Sequence, residues 1–348
     1  MAIIANSLLI NGLRTEFADT YGAIRNRQSD SRLGLVMDLS IQATNREHDF
    51  AYLEAAPHME YWQRGETIPT SFMDATQFNV PVYEWARRVP WSKWDRKDDQ
   101  TQSLFDMARM AGESAALLEE RFFFDLLIAG GGGTATTLPV VKNAPDGVAF
   151  FSETDGDSAN RFGVSGGNII GATNSAAGVA TTHDVQADYY LAIQRFGLFK
   201  DKASGGQPLL SKETIDAGTI IIHAMADTQV FEQAFLQIRQ GIGFDNAGAR
   251  GGTVVAAAAE TNLVHDSSRN VQLWGSSRLE TGEWYVFLAN PPKKATFLLD
   301  REGVQEFSSL EGDNNGDHTR STAEEYVQWE RRAGAGVALP YGAIKIDN

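Results

Sequence analysis

No cysteine occurs anywhere in the chain, which removes disulfides, thiolate metal sites and thiol nucleophiles from consideration. Positive charge is also scarce: 30 Lys and Arg stand against 45 Asp and Glu, a net charge of −15. That deficit argues against nucleic-acid binding through a general basic surface. It suits a soluble, self-repelling subunit that needs specific contacts to associate. No apolar run approaches the roughly 20 residues of a membrane span. The start, MAIIANSLLINGLRTEF, is apolar only in short pieces and has no basic stretch leading into a hydrophobic one. No signal peptide is therefore expected, and the chain reads as one that matures in a cytoplasm.

Motifs for chemistry are equally sparse. The six histidines (His48, His58, His183, His223, His265 and His318) include no pair four residues apart, so the helical zinc pattern is missing. There is no Gly-x-Ser-x-Gly elbow and no phosphate-binding Gly-x4-Gly-Lys-Ser/Thr loop. Gly241-Ile242-Gly243 follows a helical pattern and leads into Phe244-Asp245, the wrong context for a dinucleotide fingerprint. Asp313-Asn314-Asn315-Gly316-Asp317 with Glu324 resembles a calcium loop, but His318 stands where glycine is needed. A polar surface loop is the better reading there. Glu119-Glu120 reads as a solvated helix surface. No metal, cofactor or catalytic residue is expected.

What the chain does have, across 348 residues with 43% hydrophobic content, is one long helical pattern from Gln100 to Ile128. Leu104, Ala108, Ala111, Ala115, Leu118 and Phe122 recur at steps of four and three, on one face of a helix. From Phe122 to Ile128 the pattern is apolar nearly all round, so that end must be covered on more than one side. Gly130 to Gly133 ends it. Ahead of it, Leu9, Leu13, Phe17, Tyr21 and Ile24 sit at helical spacing before a polar break at 25–30. This is either an arm on a flexible tether or an ordinary first helix. Leu33 to Ile41 reads as a strand. The section 64–99 shows no helical period; alternation in Gln77–Tyr83 and Glu84–Val89 predicts two strands of a long hairpin. Such a hairpin is marginal alone in water and calls for a partner on another molecule.

At its base lie Arg87, Arg88, Lys93, Arg96 and Lys97, interleaved with Trp85, Trp91 and Trp94. Basic and aromatic residues together suit single-stranded nucleic acid, but Trp and Arg are also the usual anchors of protein interfaces. In so acidic a chain the interface reading is favoured, with Glu113, Glu119, Glu120 and Asp125 of the long helix as complement. The section 129–180 is rich in glycine, serine, threonine and asparagine, and reads as loop with brief strands. Asp188–Leu198 is a second helix and Thr219–His223 a buried strand. A helix follows, capped by Asp227 or Thr228 and ended by Gly241. Further strands are expected at 253–259, 271–274, 284–288 and 296–299, giving a compact α+β unit over about 202–300. The tail, 326–346, is extended.

This order of parts resembles the Hong Kong 97-type fold of tailed-phage major capsid proteins. Within that fold the sequence is similar to the Mu-like major head subunit family. The carrying residues are Tyr52-Leu53, Pro57, Glu60-Tyr61-Trp62, Arg64, Ile68 and Asp98-Asp99-Gln100, then Ala111–Ala116 and Phe123–Gly130. Pro145-Asp146-Gly147, Phe150-Phe151-Ser152 and Glu330-Arg331-Arg332-Ala333-Gly334 complete the set. The sequence departs at Glu153-Thr154-Asp155-Gly156 and in the alanine-rich 253–260.

The resemblance implies an α+β capsid fold: an N-terminal arm (1–32), strands of a peripheral (P) domain (33–63), an E-loop (64–99), and the P domain with its spine helix at 100–128 and a glycine-rich loop (100–201). An axial (A) domain (202–300) and a return to the P domain (301–348) follow. It implies hexamers and pentamers closing an icosahedral shell around double-stranded DNA, with portal, scaffold and decoration proteins as further partners. No membrane and no cofactor are implied. An encapsulin shell would share the fold, whereas a secreted binding protein or hydrolase would need a signal peptide and an acid/base pair.

Overall fold

A computed structural model describes residues 6–29, 32–53, 75–92, 103–133, 139–154, 160–172, 182–200, 208–240, 270–289, 291, 293–308 and 324–347. The long helix, α3 (Ser103–Gly130), runs where the four-and-three spacing predicts it, and at about 1.5 Å per residue spans roughly 40 Å. Its end carries Phe122, Phe123, Phe124, Leu126 and Leu127, all at 0% exposure. That end is wedged between two sheets, which explains why its sequence is apolar on every side.

The first sheet has the order β1-β9-β10-β4, built from β1 (Met37–Gln42), β4 (Tyr83–Ser92), β9 (Thr296–Ser308) and β10 (Glu324–Val337). β1 runs parallel to β9, and β9, β10 and β4 are successively antiparallel. Trp85 meets Phe122 of α3 edge-on at 5.0 Å, so α3 covers one face of this sheet. The helix α1 (Asn6–Ser29) lies on the same side, with Leu13 and Phe17 in one cluster with Trp91, Leu104, Ala108, Val327 and Trp329. Gly112 permits the close approach of α1 to α3: a Cβ there would stand 2.8 Å from the Phe17 carbonyl oxygen.

The second sheet has the order β5-β11-β8-β6-β7, from β5 (Ile169–Gly171), β6 (Thr219–Ala224), β7 (Val271–Ser276), β8 (Trp284–Leu288) and β11 (Ala343–Asp347). Ile220, Ile222, Tyr285 and Phe287 face the α3 end. Ile221, Trp284, Val286 and Leu288 face the opposite layer with Tyr189, Phe196, Ile215 and Phe231, from α4 (Thr182–Leu198), α5 (Lys212–Asp216) and α6 (Thr228–Gln240). Burial on both faces is why β6 and β8 read as unbroken apolar runs.

The structure differs from expectation at several places. Leu33–Val36 is not strand but the short helix α2 (Arg32–Val36), with strand beginning at Met37. The polar run from Arg25 continues α1 to Ser29 instead of breaking it, because Arg25 finds buried carboxylates to pair with. The hairpin predicted between 77–83 and 84–89 does not form. β3 (Ala75–Pro81) pairs instead with β2 (Glu47–Leu53), and β4 pairs with β10. A break at Val82 separates the two strands into different sheets, so the alternation holds while the pairing does not. The tail strand β11 joins the second sheet beside β8, whereas 296–299 belongs to the first sheet. Neither Asp227 nor Thr228 caps α6 with its side chain: Asp227 accepts from the Gly282 amide at 2.9 Å and Thr228 donates to the Met225 carbonyl at 2.8 Å. The strand expected at 253–259, the end at Gly241 and the loop 313–323 lie outside the described residues.

Candidate assembly surfaces

The strand β4 is an edge of its sheet, which Pro90 tolerates because an edge residue can lack a ladder donor. Its alternate residues divide between two faces. On the inner face Trp85 donates its indole N–H to the Ala333 carbonyl at 3.0 Å, and Trp91 is 7% exposed in the cluster beneath α1. Two of the three tryptophans expected at an inter-subunit contact thus pack against the chain's own core. On the outer face Arg88 donates to Gln328 Oε1 at 2.9 Å and lies 4.2 Å from the Tyr326 ring centroid. Glu84, Arg332 and Glu302 form a ladder across three strands at 3.1 and 3.4 Å. Arg87 is exposed. Lys93, Trp94, Arg96 and Lys97 lie outside the described residues.

On α3 the predicted carboxylates part company. Glu113 is exposed and Glu120 half-buried on the outer side, near Met107, Met110 and Leu117, which are exposed large apolar side chains. Glu119 is 0% exposed and is not an outward contact, which corrects the reading of Glu119-Glu120 as a solvated pair. One step of 100° along the helix turns it from solvent to the sheet. Further along, Leu117, Arg121 and Ile128 line an open cleft of about 720 Å³ with Met225, Ser276 and Arg278.

A dense group of buried charges lies where Glu119 points. Arg331 of β10 contacts Glu119 at 2.7 Å and Asp300 of β9 at 2.9 Å. Arg25 of α1 approaches the same carboxylates at 3.2 and 3.9 Å. Burial opposes the charge on Arg331, but Glu119, Tyr21 and Asp300 outweigh it and raise its pKa. Burial likewise raises the pKa of Tyr21, whose ring lies beside this group. The sequence reading missed Arg331, Asp300 and Arg25 as a unit. A signal was present: Arg331 falls in the inward alternation of Val327, Trp329 and Ala333, where only a paired charge is tolerated. Among the described residues, no group of three His, Asp or Glu that could hold a metal ion occurs, and no helix is long and apolar enough to cross a membrane.

No family model matches the chain, and no curated protein does. Solved structures do. The chain superposes on the capsid of cyanophage P-SCSP1u with a TM-score of 0.54 at 10% identity, covering 91% of this chain and 87% of that one. The capsid of the native GTA particle gives 0.52 at 11% identity, covering 90% and 89%. The mature capsid of bacteriophage PhiM1 gives 0.50 at 9% identity, covering 89% and 84%. The fold is thus that of icosahedral capsid shells, the Hong Kong 97-type α+β fold with its long spine helix, across almost the whole chain.

Proposed function

We propose that this chain is the major capsid protein of a tailed double-stranded DNA bacteriophage, a structural subunit without catalysis, of the Mu-like head-subunit kind. The observation that carries the reading is the shared fold over about nine-tenths of both chains in phage and GTA capsids. The subunit assembles with itself into hexamers and pentamers in the host cytoplasm, and takes its place in the virion with portal, scaffold and decoration proteins. The packaged DNA is enclosed without sequence-specific contacts; the charge of −15 keeps the shell from gripping it. The interface we assign pairs Arg87 and Arg88, with Lys93, Arg96 and Lys97, against Glu113 and Glu120 of a neighbouring spine helix.

Sedimentation velocity with negative-stain microscopy on the purified chain tests this. Closed particles, or rings of five or six subunits, are the expected result. Particles filled with a cargo enzyme instead of DNA in the native host would move the reading to an encapsulin-type shell. A monomer that never assembles at high concentration would overturn it.

A further inference from the structure

The seat of α1 is a buried site with two carboxylates, Glu119 and Asp300, against one guanidinium, Arg331. All three side chains are at most 7% exposed. Without α1 this group carries a net negative charge in a low-dielectric place, which is costly. Among the described residues, Arg25, itself 35% exposed, is the cation that brings the count to neutrality from outside. We infer that α1 is a charge-gated clamp: Arg25 neutralises the buried site, and that neutralisation decides whether the helix stays docked on its own subunit.

A second observation supports a separable clamp over a rigid one. Tyr21 Oη, Glu119 Oε2, Asp300 Oδ1, and Arg331 Nε and Nη1 are buried with no hydrogen-bond partner, as is Trp329 Nε1 nearby. The polar layer beneath α1 is therefore only half satisfied, so it does not hold the helix through hydrogen bonding alone. What remains is apolar contact, chiefly Phe17 stacked on Trp329 at 4.8 Å, one surface ion pair from Arg109 of α3 to Glu16 at 2.7 Å, and the charge count. The charged and titratable groups that meet at the seat are Tyr21 and Arg25 from α1, Glu119 from α3, Asp300 from β9 and Arg331 from β10. If α1 lifts, it uncovers Trp91, Leu104 and Trp329, an apolar floor next to the edge strand β4.

Amide hydrogen exchange on the full chain tests the clamp. Arg25→Gln is expected to speed exchange across 6–29 by about tenfold or more while β6 and β8 keep their protection. Arg25→Lys, which keeps the charge, is expected to stay within about threefold of wild type. Adding Glu119→Gln or Asp300→Asn to Arg25→Gln removes the surplus carboxylate and is expected to restore protection of α1. Unchanged exchange in Arg25→Gln would overturn the inference. So would loss of α1 and core protection together, or a deeper loss in both double variants. Should neither double variant fold, the contrast between Arg25→Gln and Arg25→Lys decides alone, since Arg25 sits at the surface edge of the site.

Discussion

At the scale of single residues, the chain's stability turns on a few charges placed where water cannot reach. Arg161 is 0% exposed and donates to both carboxylate oxygens of Asp146, at 3.1 and 2.8 Å from Nη2. It also donates to the Ala149 and Phe150 carbonyls at 2.7 and 2.9 Å. One planar fork thus ties the loop after α3 to the segment before β5. Arg161→Ala strips Asp146 of its guanidinium, leaving it the Val148 amide, and takes a donor from both carbonyls, of which Phe150 keeps Asn168; it is expected to cost about 3–5 kcal/mol. A urea midpoint lowered to match would confirm it, and Arg161→Lys should recover little, because an ammonium cannot reproduce the fork. Tyr285 makes the opposite case. Its hydroxyl is buried without a partner, and burial, with Glu283 and Asp347 nearby, pushes its pKa up from 10.0. Below pH 10 the folded and unfolded chains both keep this proton and stability is unaffected. Above it the unfolded chain loses the proton first, so stability falls as pH rises. Tyr285→Phe should flatten that alkaline decline in thermal melts, and at neutral pH change stability by less than about 1 kcal/mol in either direction.

At the scale of elements, legibility follows whether the causes are local. The spine helix is readable because its four-and-three spacing, its helix-forming residues and its terminal glycines all act within the segment. Strands β6 and β8 are readable from their apolar runs. The partner of β4 was not, because Trp85 and its neighbour Arg331 are far apart in the chain and alternation says which residues face inward without saying against what. For the same reason Glu119 read as a surface carboxylate: its partners, Arg331 and Arg25, come from β10 and α1, and nothing in the helix announces them. The approach of α1 to α3 is a non-local fact that nonetheless left a mark, the one glycine inside the long helix. Gly112→Leu should push α1 off, since even a Cβ would lie 2.8 Å from the Phe17 carbonyl oxygen. The expected result is faster exchange in 6–29 and a loss of about 1–3 kcal/mol. Unchanged protection there would mean that α1 shifts along α3 without penalty.

At the scale of the whole molecule, the proposed capsid role requires so acidic a chain to associate with itself. Monomers at a net charge of −15 repel, so assembly needs local patches of opposite sign held in register by a rigid frame. The frame is the spine helix fixed between two sheets, and it presents Glu113 and Glu120 on one side while β4 presents Arg87 and Arg88 at a sheet edge. Arg88 is held 4.2 Å over the Tyr326 ring and bonded to Gln328, a pre-ordered posture that lowers the entropy lost on contact. Each exposed ion pair is worth roughly 0–1 kcal/mol, too little to hold a dimer, but the same contact repeated around a closed shell adds through multivalency. Arg87→Glu with Arg88→Glu is therefore expected to abolish particles in sedimentation and microscopy while leaving the circular dichroism of the monomer intact, because neither side chain is buried. Restoring assembly by Glu113→Lys with Glu120→Lys in the same chain would tie the two surfaces to each other. Normal particles from the first double variant would place the contact elsewhere on the subunit, with the apolar stripe of Met107, Met110 and Leu117 the next surface to alter.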